Sequence, residues 1–128
     1  MERTRVSSGT EWESHAGYSR AVRAGDQVHV AGTTPVDDEG EVVGDGPYEQ
    51  TIAALEIVEA ALDEAGAGLS DVARTRLYVT DIDDFEDVGR AHGEVFTDVR
   101  PAATMVEVAR LVDEAFCVEV EATAVVDD

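Results

Sequence analysis

Four segments of the chain alternate between apolar and polar residues with the period of a β-strand. Residues 18–33 predict two short strands joined by a turn at Ala24-Gly25-Asp26, because this turn chemistry is typical of a β-hairpin. Residues 72–80 alternate throughout, and the runs 103–109 and 116–125 alternate in the same way. The pattern therefore predicts five strands.

Between the second and third of these strands the spacing becomes helical. Pro47 stands where the first turn of a helix tolerates proline, Glu49 favours the amino end of a helix, and Gly66 is a typical stop. These signals predict one long helix with a single apolar face. The apolar positions of that face are Ile52, Leu55, Val58, Leu62 and Ala65.

A second helix is predicted after the third strand. Asp83 and Glu86 have the spacing of a capping box, and Pro101 follows the predicted end of the helix. The predicted apolar stripe consists of Phe85, Val88, His92, Val95 and Phe96.

Together these elements follow the order β-β-α-β-α-β-β. This order is typical of the α+β class, with a mixed β-sheet and two helices packed on one of its faces. The length of 128 residues and the lack of a repeat or linker predict one domain over residues 1–128. Because only 5% of the residues are aromatic, Val, Leu, Ile and Ala are expected to fill the core.

The charge of the chain restricts its environment and its partners. Nine basic residues face 29 acidic ones, so the net charge is −20 at pH 7, and all nine basic residues are arginine. A dense carboxylate surface without lysine suits high salt, because molar salt shortens the screening length to about 3 Å. We therefore expect a halophilic, acidic protein. The same charge argues against nucleic acids and anionic membranes as partners, since both bind basic surfaces.

Composition also bears on the cellular compartment. The single cysteine, Cys117, cannot form an internal disulfide bond. No apolar run approaches a membrane span of about 20 residues, and residues 1–5 lack the apolar core of a signal peptide. A cytoplasmic protein that does not enter membranes is expected.

Five motifs follow one another in a fixed order along most of the chain. They are GYSRAV over residues 17–22, VAGTTP over 30–35, LYVTDIDDF over 77–85, PAATMVEV over 101–108 and VEVEA over 118–122. In this order they resemble the Rid family, which is also called the YjgF, RidA or L-PSP family. The resemblance implies a chorismate-mutase-like subunit, a homotrimer and small-molecule clefts between neighbouring subunits. It also implies hydrolysis of reactive enamines and imines, such as 2-aminoacrylate, to the 2-oxo acid and ammonia.

Two positions depart from the deaminating members of that family. In those members an arginine follows the Pro-Ala motif and binds the substrate carboxylate with two hydrogen bonds, whereas this chain has Ala103. The position that resembles a cleft-lining asparagine is Gly89 here. Both departures favour a reduced or altered activity.

Other positions match residues that line the family's cleft, namely Tyr18, Gly32 and Glu119, and Met105 is expected to shape the same pocket. Glu119 matches the carboxylate that is proposed to position or activate water, which is the task of a general base. From the strand pattern alone, a solvated or paired glutamate is the ordinary alternative. Gly32 either ends a strand or allows the backbone to approach a ligand closely.

Two arginines are candidates to replace the missing guanidinium. Arg100 stands three residues before Ala103, and Arg76 lies on the polar face of the strand over residues 72–80. Either side chain could bind a carboxylate from a different direction. The alternative is an arginine that pairs with one of the many acidic residues, and spacing does not decide between the two interpretations.

The remaining candidate side chains have structural alternatives. His92 lies on the apolar stripe of its helix, which favours a packed or hydrogen-bonded residue over a catalyst. Cys117 shares a strand face with Glu119, so its thiol is either near the cleft or a small buried apolar group. The three histidines have no metal-ligand spacing, and residues 40–46 lack a nucleotide-binding fingerprint, so no metal or other cofactor is expected.

Two functions of different classes remain open at this point. The first is a Rid-like hydrolase or deaminase of a small enamine, imine or related metabolite, with Glu119 managing the water molecule. The second is a non-catalytic homotrimer that binds a small molecule or a protein through the same clefts, which Ala103 and Gly89 favour. A ribonuclease activity ranks behind both, because a net charge of −20 repels phosphates.

Overall fold

The computed structural model describes residues 1–127, and its centre is one six-stranded β-sheet with helices packed against it. The strands are β1 (Arg3–Val6), β2 (Ala21–Ala24), β3 (Gln27–Thr33), β4 (Val72–Val79), β5 (Ala102–Glu107) and β6 (Val118–Val125). The helices are α1 (Glu11–Ala16), α2 (Pro47–Glu64) and α3 (Phe85–Val95), and single 3-10 turns span Leu69–Asp71 and Ile82–Asp84. The predicted α+β class with a mixed sheet is confirmed.

The last strand of the chain lies in the middle of the sheet. The spatial order is β1-β2-β3-β6-β4-β5, and only β4 and β5 run parallel to each other. Strand β6 pairs with β3 on one side and with β4 on the other. Segments that are far apart in sequence therefore meet at β6.

One face of the sheet is covered by α2 and α3, and this side holds the core. Leu55, Val58 and Leu62 of α2 are fully buried in one cluster with Val28 and Val120 of the sheet. Burying one such side chain contributes about 1.5–3 kcal/mol, so this apolar face holds the helices on the sheet. Polar side chains occupy the opposite face, among them Arg74, Arg76, Tyr78, Glu119 and Glu121.

The first 16 residues form two elements that the sequence pattern does not predict. Strand β1 pairs with β2 and has one buried residue, Val6, so it shows no alternation. Helix α1 follows Thr10, whose hydroxyl accepts a hydrogen bond from the backbone N–H of Glu13. Burial tends to raise the pKa of Glu13, but hydrogen bonds from Ser8, Ser7 and Thr10 outweigh burial and lower it. The buried carboxylate thus ties the segment before α1 to the helix.

The amino end of α3 differs from the predicted capping box of Asp83 and Glu86. Helix α3 has no side-chain cap at its start; instead, the carboxylate of Asp81 accepts a hydrogen bond of 2.9 Å from the N–H of Asp83. This contact starts the 3-10 turn over Ile82–Asp84, and the turn leads directly into α3. The second helix is therefore present as predicted, but a different carboxylate organises its entry.

The helices bury the predicted apolar positions fully or in part with one exception, and Ile52 and Val95 are among the half-buried ones. Val88 and Phe96 are buried, and His92 is half-buried, whereas Phe85 is 57% exposed because it stands at the first turn of α3. None of the helices within residues 1–127 is long and apolar enough to cross a membrane.

Candidate functional site

The uncovered face of the sheet brings polar side chains of β4 and β6 together. The strand register pairs Tyr78 with Glu119 and Arg76 with Glu121. Side chains of paired residues point to the same face of a sheet, so these four form one cluster. Alternation in the sequence predicted the polar face of each strand, but the pairing of β4 with β6 is visible only in the structure.

Gly32 lies directly beside the carboxylate of Glu119. The pairing of β3 with β6 is irregular between Val30 and Thr33, and this irregularity brings the backbone of Gly32 next to Glu119. A Cβ atom at residue 32 would lie 3.1 Å from Cδ of Glu119 and closer still to a carboxylate oxygen. The glycine therefore leaves the space that the Glu119 carboxylate occupies.

Arg20 completes the cluster, and the sequence analysis did not identify it. Its Nη2 donates a hydrogen bond to the carbonyl oxygen of Gly32, and its guanidinium carbon lies 5.8 Å from the centre of the Tyr18 ring. Within the described residues, its buried Nε has no hydrogen-bond partner. The available signal was the spacing of Tyr18 and Arg20, since residues two apart in an extended segment point the same way.

The environment of Glu119 changes its acidity. Glu119 is half-buried, and burial raises its pKa above the ordinary value for glutamate. The positive charge of Arg20 acts in the opposite direction, while the negative charge of Glu121 adds to the increase. A carboxylate with a raised pKa is a stronger base, which suits the removal of a proton from water.

Glu121, the neighbour of Glu119 on this face, is already engaged by two side chains. The hydroxyl of Tyr78 donates to Glu121 at 2.5 Å, and Arg76 forms an ion pair with it at 3.4 Å. The hydrogen bond to Glu121 is the main cause of the raised pKa of Tyr78, and burial adds to it. Arg76 thus follows the alternative considered above, in which an arginine pairs with an acidic residue.

The cluster borders an open depression of about 310 Å³ on the uncovered face. Its walls include the backbone at Gly32 and the side chains of Tyr78 and Glu119. A second arginine that the sequence analysis did not consider, Arg110, also lines it. The depression therefore presents a carboxylate base and a guanidinium to any small ligand that enters it.

Ala103 and Met105 lie on the other side of the sheet from Glu119. The parallel pairing places Ala103 beside Thr75 and Met105 beside Leu77, two buried residues that face the helices. Within one chain, Glu119 and Ala103 do not line the same depression. A single cleft that contains both positions needs two copies of the chain.

Arg100 and Gly89 are also separate from the Glu119 cluster. Arg100 has a left-handed backbone with φ 51°, which is uncommon for a residue other than glycine. It lines a depression of about 360 Å³ with His92 and Phe96 at the carboxyl end of α3. At Gly89 a Cβ atom would have no neighbour within 4 Å, so the helix leaves open space where a larger side chain would fit.

His92 and Cys117 have the properties of structural residues. Nε2 of His92 lies 2.8 Å from Oγ1 of Thr75, its ring packs 4.7 Å from that of Phe96, and burial lowers its pKa. Cys117 is half-buried, and burial together with the charge of Asp84 raises the pKa of its thiol, which keeps it protonated. No group of three metal-ligating side chains with a suitable arrangement occurs in residues 1–127.

Comparison with known proteins identifies the protein family of this chain. The family model described as Endoribonuclease L-PSP matches residues 9–126. The chain belongs to the Rid (YjgF, L-PSP) family. A crystal structure of Rv2704 from Mycobacterium tuberculosis, described as a member of the YjgF/YER057c/UK114 family, superposes with a TM-score of 0.90. It is 50% identical in sequence and covers 98% of this chain and 100% of its own.

Two curated relatives show the range of names within the family. An uncharacterized protein of Streptomyces coelicolor, SCO2049, is 44% identical over 122 residues, which is 94% of this chain and 90% of that protein. The 2-iminobutanoate/2-iminopropanoate deaminase of Salmonella typhimurium is 34% identical over 111 residues, which is 84% of this chain and 86% of that protein. One relative is thus named for imine deamination, whereas the family model is named for an endoribonuclease.

Proposed function

We propose that this Rid-family chain forms a homotrimer and hydrolyses a small enamine or imine in clefts between its subunits. The observation that carries the proposal is the Glu119 carboxylate, which is half-buried beside Gly32 with a raised pKa. A relative that is 34% identical is named as an imine deaminase, which supports this class of substrate. The acidic surface, with a net charge of −20, opposes a ribonuclease activity.

The chemistry requires one base near an electrophilic carbon. Glu119 accepts a proton from water while the water oxygen bonds to the carbon of the C=N group, and the π electrons of that bond move to nitrogen. An enamine first takes up a proton at its terminal carbon and loses one from nitrogen, which gives the imine. After the attack of water, nitrogen takes up a proton from solvent. The resulting carbinolamine loses ammonia while its hydroxyl gives up a proton to solvent and becomes the carbonyl of the 2-oxo acid. Glu119 can return its proton to the leaving nitrogen, so no redox partner is needed.

Two subunits would build the cleft from opposite faces of their sheets. Glu119 and Gly32 lie on the uncovered face, whereas Ala103 and Met105 lie at the edge strand β5 on the helix side. An edge strand offers free backbone groups and exposed side chains to a neighbouring chain. Because Ala103 carries no guanidinium, we expect generic imine turnover to be about 30- to 1000-fold slower than in an arginine-bearing relative.

A non-catalytic trimer that binds a small molecule or protein is the second candidate. Ala103 favours it, since a methyl group there cannot orient a substrate carboxylate. The open space at Gly89 favours it as well, because no side chain contacts a ligand from that position.

The test is to generate 2-aminoacrylate in situ and to measure the release of pyruvate and ammonia. Glu119→Gln keeps the size of the side chain but removes its basicity, so turnover should fall by about 10²- to 10⁴-fold. Glu56→Gln, an exposed carboxylate of α2, is the matched control and should leave turnover unchanged. Equal rates for the natural chain and Glu119→Gln would contradict the proposed role.

A second variant separates the enzyme from the binding module. Ala103→Arg should raise turnover if the cleft otherwise resembles that of the deaminating members. If neither the natural chain nor a folded, trimeric Ala103→Arg variant releases ammonia above the blank, the enzyme proposal is wrong and the binding module is favoured.

A further inference from the structure

A larger cavity lies beside the Glu119 cluster and is lined by residues from the amino-terminal segment. It has a volume of about 480 Å³, within the range of about 300–1,000 Å³ that is common for ligand pockets. Trp12 of α1, Val36 and Ile57 supply apolar walls, and Tyr18, Arg20 and Thr33 supply polar groups. We call it the Trp12 cavity. The indole of Trp12 is 60% exposed, so it is accessible to a ligand in this cavity.

Arg20 is the cation of the Trp12 cavity, and only part of its hydrogen-bonding capacity is used. Its guanidinium donates from Nη2 to the carbonyl of Gly32, and its buried Nε has no partner within the described residues. Because Nε is itself buried, a ligand in the cavity meets Arg20 only at the outer part of its guanidinium. In a chain of charge −20, a half-buried guanidinium that lines a cavity marks a place for an anionic group.

Two carboxylates restrict which anion fits. Asp37 and Asp38 also line the Trp12 cavity, and Asp37 is oriented by hydrogen bonds of 2.9 Å from the N–H groups of Glu39 and Glu41. Their negative charge repels ligands with more than one negative charge. The cavity therefore favours a monocarboxylate over a phosphate or a dicarboxylate.

Arg20 also connects the Trp12 cavity to Glu119. It lines the cavity and binds the carbonyl of Gly32, while the Glu119 carboxylate occupies the space where a side chain at Gly32 would stand. A carboxylate on Arg20 would therefore lie between the apolar walls and the base.

We propose that the Trp12 cavity binds a monocarboxylate with a branched or aromatic apolar group. The carboxylate binds Arg20, and the apolar group packs against Trp12, Val36 and Ile57. Arg20 then takes over the substrate-binding role that Ala103 cannot perform, and the cavity selects side chains larger than that of 2-aminoacrylate. The inference rests on the proposed function only where it identifies this ligand as the substrate.

Trp12 makes the test direct, because it is the only tryptophan of the chain and its fluorescence reports on the cavity. The probes are 4-methylpentanoate and its neutral amide, 4-methylpentanamide, titrated at one fixed salt concentration. We expect a saturable change of Trp12 emission with the acid, and a dissociation constant about 10- to 100-fold higher for the amide. Equal affinities for acid and amide, or no saturable change with the acid, would overturn the proposal.

Variants then assign the binding to Arg20. Arg20→Gln keeps a donor for the Gly32 carbonyl but removes the charge, and it should weaken binding of the acid by the same factor. Arg3→Gln, an exposed arginine of β1 outside both depressions, should bind as tightly as the natural chain. If Arg20→Gln does not fold, the difference between acid and amide in the natural chain decides the question.

The proposal of a monocarboxylate site and the proposal of an imine hydrolase can be contradicted independently of each other. Saturable binding of 4-methylpentanoate in a chain that hydrolyses no imine supports the Trp12 cavity and contradicts the enzyme. Turnover of 2-aminoacrylate that is unchanged in Arg20→Gln, without saturable binding of the acid, supports the enzyme and overturns the inference.

Discussion

At the scale of single residues, the contact between Gly32 and Glu119 sets the geometry of the candidate site. A methyl group at residue 32 would overlap the carboxylate of Glu119, which is the far end of a flexible side chain. The carboxylate would move more readily than the backbone, so the fold would tolerate the change better than the site. Arg20 donates a hydrogen bond to the carbonyl of Gly32, so Gly32 contacts both the carboxylate of Glu119 and the guanidinium of Arg20.

We therefore expect Gly32→Ala to lower turnover of 2-aminoacrylate by about 10- to 100-fold, because a displacement near 1 Å has effects of this order. The melting temperature should change by only a few degrees. Gly68→Ala is the control, since a Cβ atom there meets no neighbour within 4 Å. Turnover that is unchanged in Gly32→Ala would show that the position of Glu119 does not limit the reaction.

At the scale of elements, His92 joins α3 to β4. It meets Thr75 of the sheet across a hydrogen bond of 2.8 Å and packs against Phe96 after the end of its own helix. Burial disfavours the charged imidazolium and lowers the pKa of His92 from its ordinary value of 6.5. The folded chain thus holds His92 neutral, whereas the unfolded chain binds a proton more readily.

This difference in pKa makes the stability of the folded chain decrease at acid pH. The stability that depends on neutral His92 is complete above pH 6.5 and is lost as the pH falls through the lower folded pKa. We expect the melting temperature of the natural chain to fall more steeply between about pH 7 and pH 5 than that of His92→Gln. His29→Gln, an exposed histidine of β3, is the control. Parallel pH profiles for the natural chain and His92→Gln would contradict this account.

At the scale of the whole molecule, the dominant feature is the net negative charge of the chain. Acidic residues number 29 against nine arginines, so most carboxylates have no cationic partner available. Bringing several copies of a chain of charge −20 together increases their repulsion, while an apolar interface contributes at any salt concentration.

We predict that the proposed trimer becomes more stable with salt. Light scattering between about 0.05 M and 3 M potassium chloride should show a shift from smaller species to trimers, because molar salt screens charges beyond about 3 Å. Sucrose, which does not screen charge but also favours burial, is the control and should have a smaller effect. A trimer that is equally stable at both salt concentrations would contradict the halophilic interpretation.

Much of the fold follows from local patterns. The apolar positions of α2 are visible because helical spacing is a property of neighbouring residues, and the alternation over residues 72–80 correctly separates Tyr78 from Leu77. Strand β1 and helix α1 are not visible in this way, since β1 has one buried residue and α1 is held by the buried carboxylate of Glu13. Neither element shows a regular alternation of apolar and polar residues, and α1 depends on a polar contact instead.

The sequence by itself determined the types of the elements after residue 17, the polar face that carries Glu119, the net negative charge and the family. Only the tertiary structure decided which side chains meet. Strand β6 inserts between β3 and β4, which places Glu119 beside Gly32 and near Arg20, while parallel pairing with β4 turns Ala103 to the opposite face. The physical reason is that periodicity reports which face of its own strand a residue occupies, whereas strand order and register arise from contacts between distant segments.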